Sequence, residues 1–311
     1  MRKDLIYSIK SPYREEMQIP GYRFGKGEKA VCIVGAIRGN EVQQLYVCSQ
    51  LIKVLKRLEE HGAVSANKEI LVIPCVNHYS MNIEKRFWTV DNTDINRMFP
   101  GYDRGETTQR IAAGVFQQAK DYSYGIQFAS FYMPGDFVPH VRMMETGYQN
   151  TSLANLFGLP YVVVRKPDPF DTTTLNYNWQ LWETSAFSVY TNETDQVDEE
   201  SAHQAVSAVL RFLTRMGIIR YHIHNGYIAS VINERDLVTV QANGSGFYKP
   251  LKGLGQEVYH HEVIAQILDP YEGEVKAEVL SPTDGMIFFS HNKPLVMERD
   301  VVCRLVHRLH E

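Results

Sequence analysis

At 311 residues the chain is long enough for a sizeable core, as one large domain with an appendage or as two modest domains. Its net charge of −4 comes from interspersed acids and bases, without the basic stripe that neutralises a phosphate backbone, so nucleic acid is not an expected partner. Met1-Arg2-Lys3-Asp4 opens no apolar leader, and no apolar run reaches the roughly eighteen residues of a spanning helix, so the expectation is a soluble, cytoplasmic protein with no membrane partner.

The first strong element is Ala30-Val31-Cys32-Ile33-Val34, a continuous apolar run ending at Gly35, as in a strand buried on both faces. From Val42 to Glu60 the residues Leu45, Cys48, Leu51, Ile52, Leu55 and Leu58 recur at helical spacing, and His61-Gly62 stops the pattern. Further buried strands are read at Ile70–Pro74, Tyr161–Val164 and Phe187–Tyr190, with helices at Thr107–Lys120 and Glu199–Met216. Strands alternating with helices predict an α/β fold, a mixed sheet flanked by helices. Ligands of such sheets gather at the carboxyl ends of strands, where the loop Arg38–Glu41 falls.

From about Tyr221 short β-rich runs replace helical periodicity: Tyr227–Val231, Leu237–Gln241, Gly246–Tyr248, Val263–Leu268, Val275–Leu280, Met286–Phe289 and Val301–Val306. Residues 1–220 are therefore read as the α/β domain and 221–311 as a small all-β domain. Asp284-Gly285 between two strands is a hairpin signal, and the pattern is similar to the barrel-sandwich of biotinyl and lipoyl carriers, but the hairpin lacks a lysine to modify. A structural or oligomerising role follows, with a homo-oligomer as a possible assembly. Cys32, Cys48, Cys75 and Cys303 stand far apart without a Cys-x-x-Cys pair, which fits reduced thiols.

Four signatures occur in order. They are Gly35-Ala36-Ile37-Arg38-Gly39-Asn40-Glu41; Asn77 with Arg86-Phe87-Trp88 and Asp94-Ile95-Asn96-Arg97-Met98-Phe99-Pro100-Gly101; Gln127-Phe128-Ala129-Ser130 leading to Pro139-His140-Val141-Arg142; and Ser185-Ala186-Phe187-Ser188-Val189-Tyr190. Together with the β appendage, this set resembles the succinylglutamate desuccinylase/aspartoacylase family of zinc carboxypeptidase-like amidohydrolases, over nearly the whole chain. The resemblance implies hydrolysis of an N-acyl amino acid by zinc held on two His and one Glu, with a separate Glu moving the proton.

Set against that pattern, Glu41 keeps one ligand position, while Arg38 and Gln127 occupy the two His positions and Tyr190 the general-base position. A guanidinium has no lone pair to give, a neutral amide is a feeble zinc ligand, and Tyr is a poor base at pH 7. The expectation is a chain that binds no cofactor, with Arg38 supplying in place of zinc the positive charge that Glu41 needs. His at both 38 and 127 would restore zinc affinity.

The resemblance assigns Asn96 and Arg97 to a substrate carboxylate, and Arg86, Arg142 and His140 are further candidate contacts. The ligand expected is a small carboxylate or an N-acyl amino acid. Two alternatives stand beside this reading: an active amidohydrolase with a rearranged site, zinc-loaded if the family site works after all, in which Glu193 enters; and a scaffold assembled through its β domain. His222, His224, His260 and His261 lack a third ligand at suitable spacing, and Asp91, Asp94, Asp168 and Asp171 are read as solvated turn residues.

Overall fold

The computed structural model describes residues 1–11, 15–131 and 133–307. In chain order the elements are β1 (Arg2–Ile9), β2 (Met17–Gly25), β3 (Glu28–Ala36), α1 (Val42–Glu60), β4 (Lys68–Cys75), α2 (His78–Met81), α3 (Thr107–Ala119), β5 (Tyr124–Ala129), β6 (Asp136–Phe137), β7 (His140–Met144), α4 (Thr151–Asn155) and β8 (Tyr161–Arg165). There follow α5 (Leu175–Leu181), β9 (Ser185–Tyr190), α6 (Glu199–Arg215), β10 (Ser230–Asn233), β11 (Leu237–Gln241), β12 (Gly246–Pro250), β13 (Glu257–Val258), β14 (Val263–Leu268), β15 (Val275–Leu280), β16 (Gly285–Ser290), β17 (Leu295–Val296) and β18 (Val301–His307).

The larger unit, Met1–Ser130 with Pro139–Val231, is built on a sheet in the order β1-β2-β4-β3-β5-β9-β7-β8-β10. Its centre is parallel: β3 pairs with β4 and β5, and β5 with β9. β7 runs antiparallel to β9, and β1 and β2 add an antiparallel edge. Side chains alternate across the sheet. Val31, Ile33, Ile126, Phe128, Phe187 and Val189 join Leu51 and Leu55 of α1 and Phe212 of α6 in one core. Cys32, Val34 and Ala186 face the other, with Ile111 and Val115 of α3 and Trp179 of α5. Asp198 caps α6 by accepting from the backbone N–H of Glu200 and Ser201, with Glu199 and Glu200 favourably placed in the first turn.

The smaller unit comprises Phe131–Val138 and Ile232–Glu311. It has two antiparallel sheets, β11-β18-β16-β13 with β6 on β16, and β15-β14-β12-β17. Val240, Ile267, Ile287, Val302 and Leu305 share its core. The division expected at 220/221 falls at Val231/Ile232, for a local reason. Tyr227 N–H donates to Gly158 O and Ser230 N–H to Pro160 O, so this stretch follows the β8 side of the large sheet. No helix among the described residues is long and apolar enough to cross a membrane.

Candidate functional site

The loop after β3 folds on itself around Glu41, which stands at the N-cap position of α1 with its carboxylate turned back into the loop and is fully buried. One carboxylate oxygen accepts from the backbone N–H of Ile37 at 2.8 Å and of Arg38 at 3.0 Å. The other accepts from Arg38 Nη1 at 3.1 Å and from the Ser130 hydroxyl at the end of β5. Arg38, itself buried, turns its remaining edge to Asp94, with Nη2 at 2.9 Å and Nε at 3.0 and 3.1 Å from the carboxylate oxygens. Burial disfavours the guanidinium charge, but Asp94 and Glu41 outweigh it and hold the Arg38 pKa above its ordinary value. Gly39 lets the loop close: a Cβ there would stand 2.2 Å from Lys85 O, and its N–H donates to Arg86 O.

Arg86 is thereby fixed beside the centre, half-buried. Desolvation and the charge of Arg38 lower its pKa, while Glu41, Asp94 and Tyr190 pull the other way, so it feels the whole cluster. Asp94 also accepts from Asn96 N–H, capping the short 3₁₀ turn Ile95–Arg97. The turn presents Asn96, whose Oδ1 accepts from Leu175 N–H, and Arg97, whose Nη1 donates to Phe170 O and to Asp171. Asp171 is buried and pairs with Arg165 as well. Asp94 and Asp171 are therefore ion-pair partners and not solvated turn residues, because each meets a guanidinium brought from another segment; Asp91, accepting from Thr93 N–H, and the more exposed Asp168 fit the turn reading better.

Register places the remaining candidates in one row. Gln127 of β5 lies beside Ser188 of β9, and Ser188 beside Arg142 of β7; one step on, Tyr190 lies beside His140. All point away from the Phe128/Val189 core. The His140 and Tyr190 rings stack with centroids 4.9 Å apart, and Arg142 Cζ sits 5.0 Å from the Tyr190 ring centroid. Asn176 Nδ2 of α5 donates to Ser188 Oγ at 3.0 Å.

Gln127 does not meet Glu41. It is buried with Nε2 lacking a hydrogen-bond partner, and Ser130 is the β5-side residue that reaches the carboxylate. Position 127 stands three residues before Ser130, roughly 10 Å back along the chain at about 3.3 Å per residue. Glu193 follows β9 on a loop where its carbonyl accepts from Thr191 Oγ1, and the next residue, Thr194, accepts through its carbonyl from Gln43 N–H at the start of α1. Ser130, Asp94, Ser188 and Asn176 escape a reading by ligand type, since none is a metal donor in the expected pattern. The Asp-x-Asn-Arg phrase itself was the available signal for Asp94.

The set around Glu41 does not fit a zinc ion. Zinc needs lone pairs from several directions, whereas Glu41 meets two backbone N–H groups, a hydroxyl and a permanently protonated guanidinium. Among the described residues no three His, Cys, Asp or Glu side chains come together as a ligand set; the His260 and His261 rings lie close and tilted, 3.8 Å apart, without a third donor.

Residues 27–216 match the family model of the succinylglutamate desuccinylase/aspartoacylase catalytic domain. Among solved structures, the chain is similar to a succinylglutamate desuccinylase/aspartoacylase from Rhodobacter sphaeroides, at 21% identity and TM-score 0.75, covering 95% of this chain and 91% of that one. It is also similar to the product-bound ectoine utilization protein EutE (DoeB) from Ruegeria pomeroyi, at 17% identity and TM-score 0.76, covering 93% and 89%. An aspartoacylase family protein from Mesorhizobium loti gives 17% identity and TM-score 0.75 over 96% and 91%. At these identities the likeness carries the fold. No curated protein matches the chain by sequence. With the family model spanning well over half of its length, the chain belongs to the succinylglutamate desuccinylase/aspartoacylase family.

Proposed function

We propose that this chain is a metal-free member of its family that binds a small carboxylate ligand of the N-acyl amino acid type and does not hydrolyse it by the zinc route. The observation that carries the reading is the Arg38 guanidinium bonded to both Glu41 and Asp94 in a buried position. A charge already compensated by hydrogen-bonded partners leaves no unfilled demand for a dication.

Ligand affinity rests in this reading on cations grouped around the same centre. Arg86 and Arg142 supply guanidinium forks for a carboxylate, and the unpartnered Nε2 of buried Gln127 supplies a donor for an acyl or carboxylate oxygen. Arg97, 30% exposed at its side chain, is held in place by Asp171 and keeps donors to spare. Tyr190 and His140 form a flat wall. Isothermal titration with N-acetyl-aspartate and N-succinyl-glutamate, run with and without a chelator, tests the proposal. Saturable, chelator-independent binding without product formation supports it. Chelator-sensitive turnover overturns it.

A further inference from the structure

A pocket of about 600 Å³ opens on the larger unit among Tyr7, Tyr102, Arg110, Gly114, Lys120 and Trp182. It shares no lining residue with the Arg38–Glu41 centre. Its size falls in the range of small-molecule sites, roughly 300–1,000 Å³. The α3 wall carries no side chain at Gly114, where an added Cβ would stand 2.1 Å from the Tyr7 ring.

The lining has a definite chemistry. Trp182 sits edge-on to Phe116, ring centroids 5.2 Å apart, and is 44% exposed, whereas Trp88 and Trp179 are buried. Tyr102 is 55% exposed. Large aromatic faces left in solvent beside a concavity are ready stacking surfaces. Arg110 and Lys120 lie ten positions apart along α3 and its cap, roughly 15 Å of rise, and neither has a carboxylate partner among the described residues. Asp103 is the one acid on the lining. Aromatic walls with uncompensated cations complement a flat ring that carries negative charge.

We propose that this pocket is a binding site for a small planar aromatic carboxylate, its ring against Trp182 and its carboxylate on Arg110 or Lys120. A solvated helix face, the plainer account of two cations and a surface tryptophan, offers no reason for a concavity of this volume between them.

Calorimetric titration of the full chain with 2-naphthoate, against neutral 2-naphthamide, tests the proposal. The expected result is saturable one-to-one binding of the acid, about tenfold weaker for the amide because a charge-assisted bond is lost. Trp182→Ala, and Arg110→Gln or Lys120→Gln, should weaken naphthoate at least about tenfold with melting temperature unchanged, while Arg86→Gln leaves it unaltered. No saturable heat, equal affinity for the amide, or binding insensitive to the pocket variants would overturn the proposal. Loss of naphthoate binding in Arg86→Gln alone would place the ligand at the Glu41 centre and would overturn it too.

Discussion

The Arg38 guanidinium lies 3.1 Å from the Glu41 carboxylate and 2.9 Å from that of Asp94, joining the loop after β3 to the turn that carries Asn96 and Arg97. Removing it leaves Glu41 buried without its hydrogen-bonded guanidinium partner. Arg38→Ala is expected to destabilise the larger unit by about 3–5 kcal/mol, the range for breaking a buried pair. Arg38→Lys should recover only part, because a point charge cannot bond both carboxylates through a planar fork. Urea unfolding of the three proteins checks this; a loss under about 1 kcal/mol in Arg38→Ala would mean that Glu41 is satisfied by its other donors.

Asp171→Ala removes the partner of Arg97 and Arg165. Arg97 is partly solvated, so the expected stability loss is nearer 2 kcal/mol, the scale of hydrogen bonds to charged groups. Ligand affinity should fall with it, because the Arg97 fork loses its position. Titration with N-acetyl-aspartate alongside urea unfolding separates the two effects; unchanged affinity would take Arg97 out of the ligand site.

Asp198 accepts from two N–H groups at the start of α6. Asp198→Ala should cost about 1 kcal/mol and Asp198→Asn much less, since Asn caps as well as Asp. Thermal melts of the two variants give the answer, and an equal loss in both would point to the carboxylate charge instead of the cap.

His291 of the smaller unit is buried, and burial lowers its pKa, with the Leu295 backbone and Asp300 opposing. In the unfolded chain it takes up a proton near pH 6.5, while the folded form resists until lower pH. The unfolded state thus binds more protons below that value, and stability drops as pH falls from 7 towards 5. His291→Leu should flatten this dependence. Parallel pH slopes in variant and parent would assign the acid sensitivity elsewhere.

Arg38→His combined with Ser130→His would set two imidazoles beside Glu41, and zinc retention near one equivalent is expected. Arg38→His with Gln127→His should stay metal-free, since Ser130 and not Gln127 is the β5-side residue bonded to Glu41. Elemental analysis after dialysis against zinc distinguishes the pairs. Retention by the second pair would return Gln127 to the ligand position.

Much of the fold could be read from the chain because its buried elements are apolar and periodic. α1 is found over Val42–Glu60 as its Leu and Cys spacing predicts, and β3, β4, β8 and β9 fall on the expected apolar runs. The strands that escaped notice are those that carry the site or an edge. β5 and β7 are interrupted by Gln127, His140 and Arg142, so the buried polar row hides the strands that hold it. β1 is largely exposed or half-buried, β2 breaks its apolar run with Gln18, Pro20, Gly21 and Arg23, and their pairing shifts register between Leu5 and Tyr7. The Arg38–Glu41 pair was legible because its members stand three positions apart in one tight loop. The Asp94 and Ser130 contacts were not, because they join segments 56 and 89 residues away.

The most direct measurement is the zinc content of untagged protein, purified without chelator and challenged with a few equivalents of zinc before desalting and elemental mass spectrometry. The account predicts no retained zinc, with the Arg38–Glu41 pair intact. Retention near one equivalent, abolished by Glu41→Ala, would contradict it and make the chain a zinc site despite its arginine.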